Sequence, residues 1–303
     1  MATAAEPRPA ELPLPGGHEG ASVRVHPLIT GRMIGPEAWF LRRDGRLAWR
    51  RALGLGMTRS ERLELPVPAF LVEHPRAGPV LIDTGFHPSV AVEPRKNLGP
   101  VAHLLFKDVR MEAEQAATAQ LRARGIEPSR VNVVVMTHLH VDHASAISEF
   151  PDATFVVSRA EWEAATSQGR MHGYVTRQFD HAFDYRLLDF DATGERGPGS
   201  FSGFARSFDI FGDGSVRAVY TPGHTRGHMS VVVRTGGGEV LVTGDAIFLR
   251  RNLDENHLPH RTEDDHLYRR SLREIQQYVR ETPDAVVIPG HDWDAWQELE
   301  PAY

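Results

Sequence analysis

The sequence predicts an α/β (α+β) protein, with mixed β-sheet packed against helices. Three observations predict it. Apolar, β-branched runs of strand length recur along the chain, among them Val131 to Met136 and Ala285 to Ile288. Segments with the period of an amphipathic helix, such as 262–282, are interspersed with them. Several strand-like runs are neighbours across tight turns, which puts antiparallel pairs inside an otherwise alternating pattern.

Composition narrows the function. The 303 residues are 41% hydrophobic and 24% charged, as in a globular protein rather than a disordered or fibrous one. No apolar run approaches the roughly 20 residues that span a bilayer, so no membrane role is expected. A net charge of −6 argues against a nucleic-acid partner. Cysteine is absent, which excludes disulfides, thiolate ligands and cysteine nucleophiles. Histidine is abundant, with 16 residues, and its placement carries the argument.

In chain order, residues 1–20, rich in proline, alanine and glycine, read as a flexible arm, and 21–303 as one domain. The arm lacks a basic segment followed by an apolar stretch, so a cytoplasmic location is the default expectation. Residues near 32–62 and 172–208 read as insertions, the second irregular and close to the site. Val67 to Val72 and Pro79 to Ile82 are strands joined by a turn and ending at Asp83-Thr84-Gly85. Glu112 to Arg124 reads as a helix with Leu121 on its apolar face and Gly125 beyond its end. Val131 to Met136 is a buried strand running into Thr137-His138-Leu139-His140-Val141-Asp142-His143. Thr154 to Val157 is a strand, after which Ser158 and Glu161 form a capping box for a helix reaching about Ser167.

The last third is punctuated more sharply. Gly212-Asp213-Gly214 marks a hairpin turn. Val216 to Tyr220 leads into Thr221-Pro222-Gly223-His224. Met229 to Arg234 and Glu239 to Thr243 form a hairpin that ends at Gly244-Asp245. Thr262 and Asp265 open a helix with Leu267, Leu272, Ile275 and Val279 on one face, stopped by Pro283. The final strand ends at Pro289-Gly290-His291-Asp292.

Four strand ends thus terminate in histidine or aspartate: His138/His140/Asp142/His143, His224, Asp245 and His291. Turns at strand ends can converge on one edge of a sheet. Imidazole and carboxylate without thiolate suit zinc or another divalent first-row metal. Seven candidates exceed one tetrahedral shell and divide between two ions sharing a carboxylate. His138 and His140, two apart on extended backbone, point the same way; Asp142 and His143 follow where a helix should begin.

These motifs, HLHVDH (138–143), TPGH (221–224), TGD (243–245) and PGH (289–291), with LIDTG (81–85) upstream, resemble the metallo-β-lactamase superfamily over about residues 65–295. The resemblance implies an αβ/βα sandwich of two packed mixed sheets flanked by helices. It implies that His138, His140 and His224 bind a first metal, that Asp142, His143 and His291 bind a second, and that Asp245 bridges them. It also implies that Asp83 orients a ligand histidine, where the residues alone also allow a turn-capping aspartate. His228 is expected to support the site rather than ligate, and Asp292 to do the same or face solvent.

More narrowly, LELPVPAFLVEHPRAGPVLIDTGF (63–86), HLHVDHAS, TPGHTRGHMS and the terminal GHD are similar to the N-acyl homoserine lactonase branch. The resemblance implies hydrolysis of a small-molecule lactone or ester by a metal-activated water, with Asp142 and Asp245 as the catalytic carboxylates. Zinc is the expected metal, and iron, cobalt or manganese suit the same ligands. One departure stands out: related lactonases often carry tyrosine three residues after the bridging aspartate, and here it is Phe248, which cannot donate a hydrogen bond. Phe106, Met111, Tyr174, Phe179, Phe183, Ile247 and Phe248 are the expected pocket walls. A homodimer is expected from the apolar and basic segment Trp39 to Met57. The alternatives on the same metals are another ester or lactone hydrolase, an organophosphate hydrolase, or a thioesterase like glyoxalase II, which the acidic tail WDAWQELEPAY disfavours.

Overall fold

A computed structural model describes residues 4–56, 58–98, 107–169 and 172–303. Two mixed sheets face each other. The first runs β1 (Arg8–Pro9), β8 (Asp184–Leu188), β7 (Thr154–Ser158), β6 (Val133–Val135), β4 (Gly78–Ile82), β3 (Arg62–His74), β2 (Arg24–Pro36), β5 (Lys107–Arg110) in spatial order. The second runs β14 (Val286–Ile288), β13 (Gly238–Val242), β12 (Met229–Thr235), β11 (Val216–Tyr220), β10 (Phe204–Asp209), β9 (Gly199–Phe201).

Strand alternation explains why both faces of each sheet are buried. Val133 and Val135 point between the sheets, where they join Val231, Val233, Val240 and Val242 of the second sheet in one apolar cluster. The intervening Val134 points outward, packing with Leu121 and Trp162 of the flanking helices. On the far side, Val232 and Leu241 pack against Tyr268, Leu272, Ile275 and Tyr278 of the long helix Asp265–Glu281. Helices therefore cover both outer faces, and the protein is an αβ/βα sandwich. The face of the long helix is centred on Tyr268 and Tyr278 rather than on Leu267 and Val279, which are half-buried, and Asp264 rather than Thr262 caps it. The Glu112–Arg124 segment forms a 3₁₀ turn followed by a helix at Ala117–Ala123.

Three expected boundaries change. The flexible arm is packed over residues 4–20: Arg8 and Pro9 pair in parallel with β8, and Leu14 is buried. The His18 amide donates to Asp213 at 2.8 Å, and Asp213 in turn meets the buried His74 at 3.0 Å. Residues 172–208, expected to be irregular, supply β8 to the first sheet and β9 and β10 to the second. Residues 32–36 belong to β2, which pairs with β3 as a long hairpin, so the excursion between the two strands begins at Glu37. Among the described residues no helix is long and apolar enough to cross a membrane.

Candidate metal centre

Each functional side chain sits where a buried strand gives way to a loop at one end of the sandwich. β6 ends at Val135, and Thr137 to His140 follow in an extended loop before the short helix Val141–Ala144. β11 delivers His224, β13 delivers Asp245 and β14 delivers His291. Gly223 makes the His224 turn possible. Its φ is +130°, and a Cβ there would lie 2.3 Å from the Tyr268 amide nitrogen.

Ligand atoms of His138, His140, His224 and Asp245 all lie within 4.8 Å of one another, and so do those of Asp142, His143 and His291. Asp245 faces both groups. Its Oδ2 lies 3.6 Å from His138 Nε2 and 3.2 Å from His224 Nε2. Its Oδ1 lies 3.2 Å from His143 Nε2 and 3.1 Å from His291 Nε2. His140 turns Nδ1 inward, 2.9 Å from His224 Nε2. Asp142 Oδ2 lies 3.5 Å from His291 Nε2.

Electrostatics favour cations between these groups. Burial holds His138 and His224 well below the ordinary histidine pKa, and His140 below it, which keeps lone pairs available. His143 and His291 are shifted the other way: burial opposes their charging, but Asp245 and neighbouring carboxylates outweigh it. Burial also opposes ionisation of Asp245, yet the surrounding imidazoles hold it well below the carboxylate range. His138 Nε2, His143 Nε2 and Asp245 Oδ1 are buried without a hydrogen-bond partner. Such atoms are costly unless something occupies the space between them. Imidazoles and carboxylates converging on common points fit divalent cations, whose binding would displace the protons that Asp245 favours on His143 and His291.

The outward atoms of the ligand set are tied down. Asp83 Oδ2 is 2.8 Å from His143 Nδ1, while the same carboxylate accepts from Thr137 N and Thr137 Oγ1, each at 2.7 Å. His291 Nδ1 meets the Pro66 carbonyl at 2.8 Å. His228 lies beside the cluster rather than within it: Nε2 accepts the Asp245 amide at 3.0 Å, and Nδ1 pairs with Thr221 Oγ1 at 2.9 Å. Burial brings its pKa down to about 3. Asp292 caps the helix Trp293–Gln297 and accepts from Arg250 N at 2.8 Å.

The expected pocket walls divide. Phe248 packs edge-on to His224 at 5.1 Å and stacks on His291 at 5.9 Å. Met111 belongs to the same apolar cluster as Phe248, with Phe40 and Val141. Tyr174 lies 5.0 Å from the His140 ring. Tyr174 is nevertheless fully buried in the same core cluster as Phe179, and three others belong to the core as well. Phe179 packs on Trp162, Phe183 packs on Phe155 and His181, and Ile247 sits in the cluster beneath the long helix. Phe106 lies outside the described residues.

One residue is misread from sequence. Ser158 does cap the helix Arg159–Gln168, accepting from the Glu161 amide, but Glu161 does not complete a capping box. Its carboxylate turns inward, fully buried, to the loops carrying the histidines. The available signal was its position on the buried stripe, four residues before Ala165.

A divalent-metal centre of histidines and aspartates at the open end of an αβ/βα sandwich defines a metal-dependent hydrolase. The family model for the metallo-beta-lactamase superfamily matches residues 62–291. N-acyl homoserine lactonase AttM of Agrobacterium fabrum is 34% identical over 243 residues, which cover 79% of this chain and 86% of that protein. An N-acyl homoserine lactonase of a Bacillus species is 31% identical over 241 residues, 78% and 85% of the two chains. The solved structure of an N-acyl homoserine lactone hydrolase, with the product N-hexanoyl-L-homoserine at its catalytic metal centre, superposes with a TM-score of 0.73. It covers 92% of this chain and 97% of that one at 23% identity. The chain belongs to the metallo-β-lactamase superfamily, in its N-acyl homoserine lactonase branch.

Proposed function

We propose that the protein opens the ring of N-acyl homoserine lactones, the quorum-quenching reaction, with two divalent cations, zinc for preference. His138, His140 and His224 would hold one, Asp142, His143 and His291 the other, and Asp245 both. The observation that carries this reading is the aim of the two Asp245 oxygens, one at each histidine group. When bound, the cations supply a water of lowered pKa and polarise the carbonyl to be attacked. The chain's own residues do the rest. Asp83, Thr137 and the Pro66 carbonyl fix the imidazoles. Asp142, half-buried at the rim, takes a proton from the attacking water and returns it to the departing ring oxygen. A C–O bond forms at the carbonyl, the ring C–O bond breaks, and the hydroxy acid ionises, releasing one proton per turnover. Phe248, Met111 and Phe40 supply an apolar wall suited to an acyl chain.

Phe248 favours a second reading, hydrolysis of another ester or of an organophosphate, because it places no donor beside His224 and His291. Proton release with short- and long-chain N-acyl homoserine lactones tests the first reading against the second. We propose further that two copies pair through the segment after Phe40, where Leu47, Trp49, Leu53 and Leu55 are 40–60% exposed.

A further inference from the structure

We propose that Glu161 is the positioning residue of the three-histidine site, a buried carboxylate that locks together the loops bearing His138, His140 and His224. The inference rests on the reading that those histidines hold a cation. Glu161 Oε1 accepts from the amide of Leu139, which lies between His138 and His140, at 2.9 Å. Its Oε2 accepts from Thr225 Oγ1, immediately after His224, at 2.5 Å. The Tyr174 hydroxyl and the Gly227 amide also face the same carboxylate and lower its pKa. Tyr174 packs on the His140 ring, and Gly227 precedes His228, the acceptor for the Asp245 amide.

The close approach is built into the chain. A Cβ at Gly227 would lie 1.9 Å from the Glu161 amide nitrogen, so glycine is what lets the His224 loop reach the start of the helix. Two amides, which can only donate, and two hydroxyls, which can, surround one carboxylate, and an ionised carboxylate only accepts. That match explains a glutamate on the apolar stripe of a helix, where burial, acting against these hydrogen bonds, raises its pKa to about 7.

The contacts are also selective. Glu161 reaches the loops of His138, His140 and His224, whereas His143 is held by Asp83 and His291 by the Pro66 carbonyl. Glu161 therefore serves the three-histidine site alone, whereas Asp83 holds His143 directly and reaches His138 through the Thr137 hydroxyl. Glu161 touches no reacting atom, so it acts through the histidines.

The test uses cobalt(II) as probe on the purified full chain. Binding of two equivalents is followed by chelator competition and by the visible spectrum, and metal-free protein is melted in parallel. For Glu161→Ala the expected result is that one equivalent weakens by about tenfold or more with an altered spectrum, while the other keeps its wild-type affinity. Glu161→Gln keeps an acceptor for Leu139 N and should recover part of the loss. Thr225→Val leaves Glu161 in place and cuts only the tie to the His224 loop. It should weaken the same equivalent by a smaller factor, and it keeps the test open should Glu161→Ala fail to fold. Wild-type affinity and spectrum for both equivalents in Glu161→Ala or in Thr225→Val would overturn the proposal. So would equal weakening of both equivalents in step with the melting temperature, which is the mark of a merely structural role. A wild-type chain that binds no cobalt would instead overturn the reading of the site beneath it.

Discussion

Replacing Asp83 by asparagine tests how the centre is held, because the substitution changes one atom and leaves the backbone at ease. Asp83 has φ +56°, a conformation that asparagine tolerates as well as aspartate. Its carboxylate accepts three hydrogen bonds, from Thr137 N, Thr137 Oγ1 and His143 Nδ1. Asparagine keeps the oxygen facing Thr137 N but turns an NH₂ toward the Thr137 hydroxyl and His143. The hydroxyl can rotate and accept. His143 cannot keep its proton on Nδ1 without facing another donor, so it either moves the proton to Nε2, the atom aimed at Asp245, or leaves a buried N–H unpaired. An unpaired buried donor costs about 1–3 kcal/mol, roughly 5- to 150-fold in an equilibrium. Losing an outer partner of a ligand typically costs about 10–100-fold in metal affinity. Asp83→Asn is therefore expected to weaken one metal equivalent by about 10–100-fold, measured by chelator competition and by metal content after dialysis. Two equivalents retained at wild-type affinity would refute the argument that Asp83 sets the proton position of His143.

Other substitutions address other parts of the account. His140→Ala and Asp245→Asn are each expected to reduce turnover on the order of 10³-fold or more while the chain still folds, checked by proton release and circular dichroism; wild-type turnover in either would refute the ligand assignment. Asp213→Ala removes the carboxylate that meets His74, the His18 amide and the Ser215 amide, and is expected to cost about 3 kcal/mol in urea unfolding. Burial works against the Asp213 charge, but hydrogen bonds from Ser215, His18 and His74 hold its pKa at about 2. Its contribution is thus complete above about pH 4 and lost as pH falls through 2, so the variant should lack that part of the acid slope in urea midpoints taken from pH 5 to pH 2. Sedimentation of the purified chain is expected to show a dimer, and a single species near 34 kDa at all concentrations would remove the proposed pairing.

What was legible in the sequence followed from local chemistry. Val133–Val135 and Val216–Tyr220 are strands because β-branched residues fill a two-sided buried sheet, and the polar residues at their ends can only lie at its edge. The convergence of His138, His140, Asp142, His143, His224, Asp245 and His291 is the consequence of four such ends opening on one side of the sandwich. The misreadings concern residues whose role depends on what lies across from them. Glu161 has the spacing of a capping box, but the Leu139 amide and the Thr225 hydroxyl, each more than 20 residues away, outbid the helix terminus. Phe179 and Phe183 lie in a stretch irregular enough to suggest a pocket, yet the aromatic partners supplied by Trp162 and Phe155 make them core. Residues 4–20 have the composition of a free tail. They are held because an edge strand at Asp184–Leu188 leaves backbone groups to pair and because Asp213 waits for the His18 amide.

The most direct test of the central claim is proton release at constant pH from the metal-replete protein given a short-chain and a long-chain N-acyl homoserine lactone. The account expects one proton per ring opened, with kcat/KM above about 10⁴ M⁻¹s⁻¹ on at least one of the two. No proton release from either, with two metal equivalents confirmed bound, would contradict it and leave Phe248 as the first residue to explain why.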